Sequence, residues 1–225
     1  MTKTIEEFEL QLGRLIALQL WELGAIEVNL AEPFRLVSGN YSPLYINCRR
    51  LISAPAFVDL FSASARIICD RRGVTFDVIA GGETAGIPFA AFLARAFARP
   101  LVYVRKKAKS HGIASRIEGT IRPGDKVLLV EDLITDAGSK LSFIEAIQES
   151  GGTVEDVLVV FDRLQGGREA LHRHGIRLHS IADIDTALAV AEEIAMLSHD
   201  VLASIREYLA NPAAWHQDRG LPYCN

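Results

Sequence analysis

The residues with the clearest chemistry lie between Val127 and Lys140, in the stretch VLLVEDLITDAGSK. Apolar residues lead into the carboxylate pair Glu131 and Asp132, where a strand is expected to end. Thr135, Asp136, Ala137, Gly138 and Ser139 then open what reads as a helix. A turn at a helix N-terminus presents unpaired backbone N–H groups and the positive end of the helix dipole, which suits a phosphate. Thr135 and Ser139 add hydroxyl donors. The two carboxylates are poor phosphate ligands but good acceptors for sugar hydroxyls. Together they fit a phosphorylated ribose, with the acids on its 2′- and 3′-hydroxyls and the loop on its 5′-phosphate. The plainer alternative is a helix capped by Asp136 or Ser139, beside two solvated acids. The stretch is neither a Walker loop nor a dinucleotide fingerprint, because neither glycine spacing is present.

A second group is cationic. Arg105, Lys106, Lys107, Lys109 and His111 follow the apolar run Leu101–Val104, in a chain with formal net charge -4. Charge runs are ordinarily solvated loops. This one begins at a strand's C-terminal end, and Gly112 and Gly119 would let it move. Arg163 follows another apolar strand, in Phe161-Asp162-Arg163; its plainer reading is a surface ion pair with Asp162 or Glu169.

The elements that position these groups alternate. Helical spacing of Ile5, Phe8, Leu12, Leu15 and Ile16, with Thr4 and Glu7 as a capping box, predicts a helix from Thr4 to about Leu23. A turn-rich stretch follows, then a helix from Pro55 to Arg71 stopped by Gly73. Strands are predicted at 77–80, 101–104, 126–130, 154–161 and 177–181. Helices are predicted at 84–97, 139–150, 168–174, 184–196 and 201–209. Such alternation with near-continuous apolar strands predicts an α/β fold, a parallel sheet flanked by helices. Its ligands belong beyond the C-terminal strand ends. The non-alternating start predicts a division into an N-terminal helix and hood over 1–55, an α/β core over 56–190 and a C-terminal helical segment over 191–225.

Composition narrows the class. The chain has 225 residues, 49% hydrophobic and 23% charged, which suits one large globular domain and excludes disordered, collagen-like and coiled-coil classes. The acidic balance gives no global footprint for nucleic acid. Cys48, Cys69 and Cys224 show no CxxC spacing, which points to a reducing compartment. The charged N-terminus does not read as a signal peptide, and no apolar run approaches the roughly 18 residues of a membrane span. A cytoplasmic protein is expected. Trp21 reads as core, and His172, His174 and His179 lack the companions of a metal site.

The stretch from Val127 to Lys140 resembles the 5-phosphoribosyl pyrophosphate (PRPP) signature of type I phosphoribosyltransferases. It departs from it at Ala137, where the loop commonly has glycine, and at Asp136, whose charge is tolerable if it turns outward. Three further segments resemble the orotate phosphoribosyltransferase family. Tyr103–Gly112 with Ile117-Glu118-Gly119 resembles its mobile catalytic loop, Phe34–Ile46 its orotate-side segment, and Gly81–Pro88 its pyrophosphate loop. The four stand in family order over residues 34–163. Some members carry lysine at the positions of Val37 and Ala85; this chain lacks both, which leaves more of the work to Arg105, Lys106 and Lys109.

The resemblance implies transfer of phosphoribose from PRPP to orotate. It implies catalytic roles for Lys109, Arg105, His111 and Asp132. PRPP would be held by Arg105, Lys106, Lys109, His111, Glu131 and Asp132, by Thr135, Asp136, Ala137, Gly138 and Ser139, and by Gly82, Glu83 and Thr84. Orotate would meet Tyr45, Thr135 and Arg163, although Tyr45 also reads as ordinary hood packing. Mg2+ would arrive with PRPP, without direct protein ligands. A homodimer would share its sites, the cationic loop of one subunit closing over the other. Gly81, Gly82 and Gly86 would permit unusual dihedrals, and a strained or cis non-proline peptide is expected near Gly82–Thr84. Two rivals stay open: an enzyme of the same fold acting on another base, and a PRPP-binding regulator.

Overall fold

The computed structural model describes residues 2–36, 38–107 and 115–224, with side chains from Glu6 onward. Helix α1 (Thr2–Glu22) starts two residues ahead of the expected cap at Thr4. Its inward stripe carries Ile16 and Leu20, both fully buried. The hood follows as short strands β1 (Ile26–Val28), β2 (Phe34–Arg35), β3 (Tyr41–Ser42) and β4 (Leu44–Ile46). β1 pairs antiparallel with β4, and β2 with β3. A tight 3-10 turn, Cys48–Ser53, leads into α2 (Pro55–Arg72), which opens on proline and closes on Gly73 at φ 63° as the sequence predicts.

The core then alternates as β5 (Val78–Gly82), α3 (Gly86–Phe97), β6 (Leu101–Val104), β7 (Ile117–Glu118), β8 (Lys126–Ile134), α4 (Gly138–Glu149), β9 (Thr153–Asp162), α5 (Gly167–His172) and β10 (Arg177–Asp183). Helices α6 (Ile184–Glu193), α7 (His199–Ala210) and α8 (Pro212–Asp218) end the chain. Six strands form one sheet in the order β10-β9-β8-β5-β6-β7, parallel except for β7. From β5 the chain moves outward through α3 to β6; from β8 it moves the other way through α4 to β9. The strand order therefore reverses between β5 and β8, which opens a crevice at their C-terminal ends.

The pleat divides the core in two. Leu128 and Val130 face α3 and pack with Phe89, Leu93 and residues of α1, α2, α6 and α7. Val127 and Leu129 face α4 and pack with Phe143, Ile144 and Ile147. The N-terminal, core and C-terminal segments share the first of these clusters.

One prediction is corrected by strand pairing. β8 does not end at Glu131 but runs on to Ile134, because β9 keeps pairing with it through Leu133↔Phe161 and Ile134↔Asp162. β5 pairs with β8 only as far as Gly81↔Val130. The acids therefore sit inside a strand whose neighbour on one side has stopped.

The C-terminal segment is tied to the hood. His216 is fully buried, and its Nε2 accepts the Tyr41 backbone N–H at 2.9 Å while its Nδ1 lies 2.6 Å from the Pro212 carbonyl oxygen. The Asn40 side chain brackets Cys224, donating to its carbonyl at 2.8 Å and accepting its N–H at 2.7 Å. Replacing His216 with alanine strands a buried N–H and leaves a void among aromatic rings. His216→Ala is expected to lose about 2–4 kcal/mol of stability, read as a lowered urea midpoint at unchanged slope.

Candidate active site

The crevice between β5 and β8 holds a cleft of about 240 Å³ lined by Arg49, Glu83, Lys106, Glu131, Asp132 and Ser139. A larger hollow of about 430 Å³ on the outer side of α4, around Glu145 and His174, lies away from these strand ends. Alternation along β8 sends its adjacent acids to opposite faces. Glu131 follows Leu129 toward α4 and meets Lys140, whose Nζ is 3.4 Å from its Oε2. Asp132 follows Val130 toward the hood, where the Arg49 charge favours its ionised form.

Burial raises both acids. The Glu131 carboxyl is pushed up to about 7, chiefly by desolvation and against the pull of Lys140. Asp132 is also raised by burial, and Lys140, nearby backbone N–H groups and Arg49 offset part of that shift.

The loop after β8 accommodates both departures from the family pattern. Ala137 adopts the left-handed φ of 70° that favours glycine, at a cost of roughly 1–2 kcal/mol. Its methyl is buried in the α4-side core. Asp136 is exposed, and its Oδ1 accepts the Gly138 N–H at 3.0 Å, so its charge turns outward, the condition under which it is tolerable in the loop. Thr135 is half-buried, while Gly138 and Ser139 lie exposed at the start of α4.

At the end of β5 the Glu83–Thr84 peptide is cis, within the stretch where such a bond is expected. The glycines play a different part from the one predicted. Gly81, Gly82 and Gly86 are absent from the positive-φ positions. They are needed for space: a Cβ on Gly82 would lie 2.1 Å from Glu131 Oε1 and 2.3 Å from Phe143 Cε2. A Cβ on Gly86 would lie 2.3 Å from the same Glu131 oxygen.

The cationic run leaves β6 beside this turn. Arg105 is half-buried and lies 3.7 Å from Glu118, and Lys106 is exposed with its backbone N–H donating to Glu83 Oε2 at 2.8 Å. Lys109 and His111, like Val37, lie outside the described residues. Arg116 braces the base of the run, its Nε donating to the Arg105 carbonyl at 2.9 Å and its Nη2 to Ser142 at 3.0 Å.

Arg163 stands one strand over, its backbone N–H donating to the Ile134 carbonyl at 3.0 Å. It does not form the surface ion pair considered from sequence, because Asp162 is taken by Arg168 at 3.2 Å. Burial lowers the pKa of its guanidinium, the Tyr208 hydroxyl beside it favours the charge, and its Nε has no hydrogen-bond partner. Tyr45 packs in the hood with its ring 5.6 Å from that of Phe34, and its hydroxyl is 3.4 Å from Arg49 Nη2. Sequence reasoning missed Arg49, Lys140 and Phe143. The only sequence signal for Lys140 is a charge among the apolar positions of α4; Arg49 reaches the cleft through the hood's tertiary path alone.

A strand-borne acid beside a turn that opens a helix, at the strand-order reversal of a parallel sheet, is the arrangement that the sequence resemblance to phosphoribosyltransferases leads one to expect. The family model for the phosphoribosyl transferase domain matches residues 51–185. The chain is 44% identical over 211 residues to an orotate phosphoribosyltransferase of a Ruegeria species, covering 92% of this chain and 93% of that one. The solved orotate phosphoribosyltransferase of Aeropyrum pernix superposes with a TM-score of 0.70 at 32% identity, over 81% of this chain and 99% of that chain. Leishmania donovani UMP synthase superposes with a TM-score of 0.76 at 28% identity, over 88% of this chain and 42% of that longer one. The chain belongs to the phosphoribosyltransferase family, among its orotate phosphoribosyltransferases.

The Gly82 packing is directly testable. Gly82→Ala drives a methyl into the Glu131 carboxylate and the Phe143 ring. It is expected to lower kcat/KM for PRPP roughly a hundredfold, measured by steady-state kinetics on protein shown folded by circular dichroism.

Proposed function

We propose that this chain joins orotate to the 5-phosphoribosyl group of PRPP, giving orotidine 5′-monophosphate and pyrophosphate in pyrimidine nucleotide biosynthesis. The observation that carries this reading is the convergence of Asp132, Ser139, Glu83 and Lys106 on one cleft where the strand order reverses. Asp132 accepts from the ribose hydroxyls, and the N–H groups and hydroxyls of residues 135–139 hold the 5′-phosphate. The bond from C1′ to the pyrophosphate oxygen breaks, its electron pair leaves with pyrophosphate, and a ring nitrogen of orotate bonds to C1′ as its proton passes to pyrophosphate or solvent. Arg105, Lys106, Lys109 and His111 meet the charge that grows on the leaving group. Closure of the loop keeps out water, which would otherwise take orotate's place.

Arg163 is suited to the orotate carboxylate. A buried guanidinium with an unpartnered Nε gains most from an anion that arrives with its own lone pairs. Thr135 and the face of Tyr45 complete the base side.

Among the described residues no group of three His, Cys, Asp or Glu side chains converges as a metal cage. Mg2+ would arrive with PRPP, since the ion keeps much of its water and binds through substrate phosphates. When bound it neutralises pyrophosphate charge. No helix among the described residues is long and apolar enough to cross a membrane, and three unpaired cysteines suit the reducing cytoplasm.

Turnover is the deciding measurement. Orotate absorbance should fall only when PRPP is present, and hypoxanthine and uracil should not replace orotate; preference for another base would overturn the assignment. Asp132→Asn loses a charged hydrogen bond worth about 1.5–3 kcal/mol, so activity should fall roughly 10- to 150-fold without unfolding. Wild-type rates in that variant would remove Asp132 from the mechanism.

The proposed assembly is a two-fold homodimer in which the cationic loop serves the partner's site. A Lys109→Ala chain mixed with an Asp132→Asn chain would then form dimers with one doubly damaged site and one intact site. Activity should return once subunits exchange. Confirmed exchange without recovery would show that each loop serves its own subunit.

A further inference from the structure

Lys140 is unused by the mechanism above, yet its side chain is only 9% exposed. It lies in the first turn of α4, among the buried side chains of Phe143, Ile144 and Ile147. A lysine is rarely retained in such a place without a partner, because desolvating an ammonium is costly. Its Nζ lies 3.4 Å from Glu131 Oε2 and 3.4 Å from the hydroxyl of Ser139 in the phosphate loop. Glu131 Oε1 is buried and occupies the space left by the missing side chains of Gly82 and Gly86, where the Gly82 backbone N–H also favours the ionised carboxylate. One ammonium thus links the acid, the phosphate loop and, through Glu131, the turn at the end of β5.

We propose that Lys140 is a positioning residue of the ribose cradle, holding the Glu131 carboxylate in the space beside Gly82 and Gly86 and so fixing the turn at the end of β5 against the floor of the cleft. The inference rests on the reading of this cleft as a PRPP site. Lys140 acts through Glu131 and does not touch substrate. The groups facing Glu131 are Lys140 from α4 and Asp132 from its own strand, with Glu83, Lys106 and Arg49 across the cleft. Of these, Lys140 is the cation that most opposes the effect of burial, and its charge also favours the ionised form of Asp132.

Without Lys140 the Glu131 carboxyl titrates higher, so less of it is ionised at neutral pH. From a starting value of about 7, a further rise of one unit lowers the ionised fraction at pH 7 about fivefold.

The experiment compares kcat/KM for PRPP against pH in wild type, Lys140→Met and Lys140→Arg. The ionisations of PRPP itself are common to all three and cancel. Lys140→Met should move the acidic limb to higher pH by about one unit and weaken PRPP use about fivefold at pH 7, with little change in KM for orotate. Lys140→Arg should hold the limb where wild type has it. If Lys140→Met does not fold, Lys140→Gln is read the same way. An unmoved limb in a folded neutral variant, or an equal shift in Lys140→Arg, overturns the proposal. Wild-type turnover of PRPP and orotate separates the two readings: its absence defeats the site assignment, whereas its presence beside an unmoved limb defeats only the role of Lys140.

Discussion

Successive side chains of a β-strand point to opposite faces, and β8 carries that alternation past the last residue it pairs with β5. Had β8 stopped with β5 at Val130, Glu131 and Asp132 would sit in a loop with no defined facing. Because β9 accompanies β8 to Ile134, both acids are held on a rigid ladder. One is turned toward α4 and the other toward the hood. Everything at the cleft arranges itself around that division: Lys140 on one side, Arg49 on the other, and a β5 turn stripped of side chains where Glu131 passes.

The same division separates two electrostatic tasks. On the α4 side a buried carboxyl raised by desolvation lies 3.4 Å from a buried lysine ammonium, which favours its ionised form. On the open side Asp132 faces cations, and the run leaving β6 adds more. Positive charge at the mouth and a hydrogen-bond acceptor at the floor is an arrangement that suits a ligand rich in phosphate and hydroxyl groups. Arg163 repeats the logic at the neighbouring strand end, where an unsatisfied buried donor prefers an anion to water.

Much of this was legible in the sequence, and the gaps have physical causes. The alternating core, the termini of α2 and the span of β6 follow from local patterns. Resemblance rather than periodicity pointed to the peptide before Thr84. The extra length of β8 was not legible, since it depends on the register of β9. The hood strands pair over two or three residues each, too few for a periodic signal. The reason for Gly82 and Gly86 was misread because a close approach to Glu131 exists only in three dimensions. The role of Lys140 is hidden in the sequence for the same reason, since its pairing with Glu131 exists only in the fold.

The two halves of the core differ in how far apart their contributors lie along the chain. The α4-side cluster is built from residues between Val78 and Leu178. The opposite cluster joins Ile16 of α1 to Leu188 of α6 and Ile205 of α7. During synthesis α1 and α2 are made well before β10 and α6, so the part of the α1 stripe that packs on those later elements stays uncovered until they follow. Long-range closure of this kind slows folding and leaves apolar surface open to aggregation in the interval. The α4-side half, cradle turn included, is complete in sequence well before the opposite face can close.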